Sequence, residues 1–168
     1  MNNAIHSKFA LATLTIAMLL IASVANAQQG GSAKGTLTLQ GSDGPLSVTF
    51  AHAYYITGPG SFDNTQKERR IVFTAEDHAA AITECAAYRC AQLALIDGLT
   101  FFLADQDMAN WWAHVGQTQM SGTAIGSALN LSSDSPDHLA GTFKIGGGGA
   151  SATATIAFDA KLTKAFDQ

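Results

Sequence analysis

Hydrophobic and polar residues alternate with a period of two along most of this chain. The longest run is Leu46 to Thr57. Leu46, Val48, Phe50, His52, Tyr54 and Ile56 fall on one face, and Ser47, Thr49, Ala51, Ala53, Tyr55 and Thr57 on the other. This is the pattern of a half-buried strand, long enough to hold a bulge. Ala152 to Leu162 alternates most cleanly: Ala152, Ala154, Ile156, Phe158, Ala160 and Leu162 share one face. Shorter alternations cover Thr36–Gln40, Arg70–Thr74, Asn110–Val115, Thr123–Leu131 and His138–Ile145. Turn clusters separate them at Gly41–Pro45, Asp105–Asp107, Ser132–Asp137 and Gly146–Gly149, with a longer polar loop at Gly58–Lys67. Asp97-Gly98 is a hairpin signal between Leu93–Ile96 and Leu99–Ala104.

One stretch breaks this rhythm. Thr74 to Leu95 is alanine-rich, and it predicts one main helix over Thr74–Tyr88. Thr74 followed by Asp77 is a weak capping-box start, and Glu76 and Asp77 suit the positive end of a helix. The stretch also holds both cysteines of the chain, Cys85 and Cys90. In a continuous helix, residues five apart lie roughly 8.6 Å apart at Cα, from the rise and radius. A disulfide needs less than about 7 Å. If the two bond, the helix ends near Tyr88 and the chain turns into a strand at Gln92–Leu95. The many short strands and the absence of a strand–helix–strand rhythm predict a mainly β fold. The expected form is a single antiparallel β-sandwich-like or barrel-like domain with one short helix.

Residues 1–27 are set apart. Lys8, an apolar run from Phe9 to Val24 and the triplet Ala25-Asn26-Ala27 read as a cleavable secretory signal. Residues 28–34 are then a disordered leader, and residues 35–168 form the β-rich domain. No later segment is long enough for a transmembrane helix. Without Lys8 the chain carries 8 basic and 13 acidic residues. That balance argues against nucleic acid and anionic lipid as main partners. Lys67, Arg69 and Arg70 are the only basic cluster, interrupted by Glu68, and read as a solvated strand start. In an exported chain an even pair of cysteines is more often a disulfide than a metal or redox site, and the spacing is not C-x-x-C.

No reaction centre stands out. There is no G-x-S-x-G elbow, and nothing in the sequence places a histidine and an acid beside Ser121. Asp105 and Asp107 read as turn residues rather than a carboxylate pair. Gly146–Gly149 lacks the Lys-Ser/Thr of a phosphate loop. His52, His78, His114 and His138 form no metal spacing; His52 reads as a core histidine. Neither metal nor cofactor is therefore expected. Asn110, Trp112 and His114 share the face opposite Trp111, and Tyr55 falls on the polar face of its own strand. These four form the candidate binding surface, suited to a glycan or an envelope protein. The expected function is an exported, non-enzymatic binding or envelope-associated module. One alternative is a small exported hydrolase or isomerase with a cleft assembled from distant residues. Another is metal handling through His52, His114 or His138.

A group of phrases adds to this reading: His52-Ala53-Tyr54, Arg70-Ile71-Val72-Phe73, Cys85 with Cys90, Ser121-Gly122, Leu139-Ala140-Gly141 and Phe158-Asp159-Ala160-Lys161-Leu162. Their order resembles that of small exported bacterial proteins, mostly proteobacterial, with a β-rich domain of unknown function. The resemblance implies a β-rich fold and a paired Cys85–Cys90. It implies no substrate.

Overall fold

The period-two alternation builds one continuous antiparallel sheet in the computed structural model, which describes residues 30–60, 65–92, 96–105, 108–126, 128–147 and 149–167. The strands are β1 (Gly31–Gly41), β2 (Gly44–Pro59), β3 (Lys67–Thr74), β4 (Gly98–Asp105), β5 (Met108–Val115), β6 (Thr118–Ile125), β7 (Leu129–Ser135), β8 (His138–Ile145) and β9 (Ala152–Ala165). Their order across the sheet is β6-β5-β4-β3-β2-β1-β9-β8-β7. A short parallel contact between β2 and β9 starts at Tyr55 and Leu162. The sheet curls into a half-barrel, so the barrel-like form is the one adopted. Two short helices, α1 (Ala79–Glu84) and α2 (Tyr88–Ala91), lie between β3 and β4.

The curl follows from what fills the concave face. Phe73 on β3 lies 5.6 Å from Phe101 on β4 and 5.6 Å from Phe158 on β9, between ring centroids. Phe101 stacks on Phe143 of β8 at 4.4 Å. Strands β4 and β8 are far apart in the sheet order, so these rings meet only because the sheet bends around them. Leu37, Leu39, Ile71, Leu99, Leu139 and Ile156 complete a fully enclosed core. Burial of large apolar side chains is the main stabilising term here, at about 25 cal/mol per Å². The two edge strands, β6 and β7, are joined by residues 126–128, with Gly126 in the left-handed region at φ +69°.

A second cluster lies on the convex face. Tyr54, Ile56 and Val72 of the sheet meet Ile82, Cys85, Tyr88 and Ala91 of the helices, and Phe166. The Cys85–Cys90 disulfide is formed, with Cα atoms 5.6 Å apart. Helical geometry breaks between the two cysteines, as bonding requires, giving two helices rather than one. Thr74 ends β3 instead of capping a helix, and its hydroxyl donates to the Glu76 carbonyl. The helix start is held by Asp77, whose carboxylate accepts from the Ala79 N–H, and by the Tyr54 hydroxyl, which accepts from the His78 N–H and donates to Asp77. Burial pushes that hydroxyl up to about 12. At the other end of α1 the Lys164 ammonium donates to the carbonyls of Thr83 and Cys85, a cation where the helix dipole favours one.

Several boundaries differ from expectation. Gly31–Lys34 belongs to β1, with Ser32–Lys34 paired to β9, rather than to a leader. Asp97-Gly98 is no hairpin turn: Gly98 starts β4 and pairs with Thr74 and His114 on either side. Thr123–Leu131 is not one strand; Ile125 ends β6, three-quarters exposed, and Leu129 starts β7 on the opposite edge. β7 extends through most of the expected loop at Ser132–Asp137. The signal segment, residues 28 and 29, residues 93–95 of the expected strand after the helix, and Asp107 lie outside the described residues.

Candidate functional site

Strand β5 places the sequence-predicted surface. Trp111, Ala113 and Val115 face the core, so Asn110, Trp112 and His114 share the convex face. Trp112 is 42 % exposed, between Thr100 of β4 and Ser121 of β6. Asn110 Oδ1 accepts from the Thr123 hydroxyl at 2.7 Å. His114 Nδ1 lies 3.3 Å from the Asp97 carboxylate, within ion-pair reach when protonated but outside hydrogen-bond geometry. Asp97 also accepts from the Gly116 N–H and so pins the β5–β6 turn beside the histidine. The result is an aromatic side chain standing among hydroxyl, amide and imidazole groups.

Tyr55 does not join this face. It is fully buried in the concave core. The cause is a register shift where β1 pairs with β2, between Ser32 and Gly35. Val48 and Phe50 point inward as the alternation predicts, but beyond the shift Ala53 and Tyr55 point inward, while Tyr54 and Ile56 turn to the helices. A bulge reverses the face of every later side chain. Both faces of β2 are apolar-covered there, so hydrophobicity alone gave no sign of the reversal. His52 is half-buried, its ring parallel to that of Tyr54 at 6.3 Å. Strands β3 and β4 separate it from His114. Among the described residues no three His, Cys, Asp or Glu side chains converge as metal ligands.

The basic cluster is a solvated strand start only at Lys67; the two arginines depart from that expectation. Arg70 is 8 % exposed, with its guanidinium over the rings of Tyr88 at 5.3 Å and Phe102 at 4.7 Å. Its Nε donates to Glu68, which also accepts from the Tyr88 hydroxyl. Arg69 points the opposite way, to the concave side, and pairs with Asp134 of β7 across the half-barrel. Asp134 faces inward because β7 carries its own register shift between Leu131 and Ser133.

One further constellation was invisible in the sequence. On the convex face of β7, β8 and β9, Ser133 Oγ lies 3.0 Å from His138 Nδ1, and His138 Nε2 lies 2.9 Å from Asp159 Oδ1. With Nε2 protonated, the ring donates to Asp159 and accepts from the serine. That is the order of a serine relay. Sequence spacing could not show it, since residues 133, 138 and 159 meet only through the pairing of three strands. A groove of about 540 Å³ opens beside it, lined by Asn130, Ser132 and Asp159 among others.

Among the described residues no helix is long and apolar enough to cross a membrane, which says nothing of a crossing by strands. Compared with known proteins, the chain matches no protein-family model, no curated protein and no solved structure.

Proposed function

We propose that this protein is an exported binding module that contacts a glycan or an envelope protein through the convex face around Trp112. The observation that carries the reading is the exposed indole of Trp112, set between His114 and Asn110 on a face that the helices leave bare. An indole ring stacks on the apolar face of a sugar or fills a pocket in a partner protein, and the flanking polar groups supply hydrogen bonds. Export is supported by the secretory signal pattern in residues 1–27 and by the disulfide, which persists in oxidising compartments. The resemblance to small exported β-rich bacterial proteins points the same way. Affinity capture from an envelope extract, with wild type and Trp112→Ala, tests the surface. Wild type should retain a defined partner or glycan that Trp112→Ala loses while staying folded. Identical captures, or none, would refute it.

A second reading, a small exported hydrolase, is favoured by the Ser133–His138–Asp159 chain. It predicts slow hydrolysis of an activated ester that Ser133→Ala abolishes. Equal rates for the two proteins would dismiss it.

A further inference from the structure

At one end of the half-barrel the concave face opens into a groove of about 710 Å³. Its polar wall comes from alternate positions of β2 and β3: Tyr55, Thr57, Lys67 and Arg69. Leu103, Leu162 and Pro136 form the apolar wall. Tyr55 is wholly enclosed, and its hydroxyl, beside the Arg69 guanidinium, meets no hydrogen-bond partner in good geometry. A buried donor without an acceptor costs about 1–3 kcal/mol, so its retention needs a reason. Arg69 spends one nitrogen on Asp134 and keeps further N–H donors, since a guanidinium carries five. Lys67 adds a second, exposed cation two residues along the same face. Asp137 is nearby but sits outside on the turn, held by the Ser135 hydroxyl. Donors and cations thus converge on a cleft whose other wall is largely aliphatic, with the Asp134 carboxylate at its rim held by Arg69.

We propose that this groove binds a small amphipathic carboxylate, its carboxyl group accepting from the Tyr55 hydroxyl and Arg69 and its hydrocarbon lying on Leu103 and Leu162. The site lies on the opposite face of the sheet from Trp112, so it stands or falls independently of the surface proposed above. Octanoate is the probe, titrated into the full chain without residues 1–27 and followed by calorimetry and by NMR shifts. Saturable binding is expected, with shifts centred on β2 and β3, and octanol should bind far more weakly. Tyr55→Phe removes one oxygen and should weaken octanoate by ~10-fold, the worth of a hydrogen bond to a charged group. Lys67→Gln, at an exposed position, should weaken it by a smaller factor and decides the matter should Tyr55→Phe not fold. Absence of saturable binding would overturn the proposal. So would binding that survives both substitutions unchanged, or shifts centred on the groove at the other end, by Trp111 and Met120.

Discussion

The convex face of the sheet has two halves with opposite fates. Over β3 and the C-terminal ends of β2 and β9 it is covered: Tyr54, Ile56 and Val72 lie under α1, α2 and Phe166. Over β5 and β6 it is open, and Trp112 is exposed with Asn110, His114, Ser121 and Thr123 around it. The residues differ accordingly. The covered half is apolar, and Gly58 lets the Tyr88 ring approach so closely that a Cβ there would lie 2.4 Å from it. Around Trp112 the open half carries hydroxyl, amide and imidazole groups, with the apolar Met108 and Ile125 at its far end. The covered half has the composition of a core, whereas an exposed indole among hydrogen-bonding groups has that of a contact surface. Arg70 stands at the border, bridging Tyr88 on the covered side and Phe102 on the other.

If coverage stabilises one half and leaves the other for contact, substitutions should separate stability from binding. The largest loss is expected at the border. Arg70→Ala removes the cation beside the nearly buried Glu68 and should cost about 3–5 kcal/mol in urea unfolding, the range for breaking one side of a buried ion pair. A loss below about 1 kcal/mol would mean that the ring cage is not structural. Next comes Ile82→Ala, which opens a cavity under α1 and should cost about 2–4 kcal/mol. Replacing both cysteines with serine should cost less, about 2 kcal/mol, because the closed loop is short. Thermal melting of the double variant checks this, and an unchanged melting temperature would show that packing alone holds the two helices.

The tyrosines extend the contrast to high pH. All three in the chain, Tyr54, Tyr55 and Tyr88, are held above the ordinary phenol value, chiefly by burial, and the bare half contains none. A raised folded value means that the associated stability is fully present below about pH 10, the unfolded value, and declines as pH rises through the folded values. Absorbance titration should therefore find no tyrosine ionising near pH 10 in the folded protein. One that does so would place it in solvent. The smallest stability effect is expected at Trp112→Ala, less than about 1 kcal/mol, with partner capture lost. A large unfolding effect there would make the indole structural and erase the contrast between the halves.

Strand identity was legible because alternation is a local property. The opposite facing of Trp111 and Trp112 on β5, the inward Leu139, Phe143 and Ile145 of β8, and the β9 pattern all followed from period two, whereas the exposure of Trp112 did not. The helix break between Cys85 and Cys90 followed from Cα geometry. Sequence reading failed where two faces were equally apolar or where partners came from other strands. Tyr55 reached the concave core because a register shift reversed β2, and on a strand covered on both sides nothing in the residues marks the reversal. Asp97 read as a hairpin residue but serves as a side-chain acceptor for the β5–β6 turn, a role that depends on β5 lying beside β4.

Local chemistry thus dictated the β-rich character of the chain, the pairing-compatible cysteines and the opposite facing of Trp111 and Trp112 on β5. Backbone alternation and ring or chain geometry act over a few residues and leave their period in the sequence. Everything that depended on strand order was decided by the tertiary structure. The curl around Phe73, Phe101, Phe143 and Phe158, the Arg69–Asp134 pair across the concave face, the cage around Arg70 and the Ser133–His138–Asp159 chain each join residues from separate elements. Such meetings depend on which strands pair and in which register. A one-residue shift in register moves a side chain to the other face of the sheet while leaving its sequence neighbours unchanged.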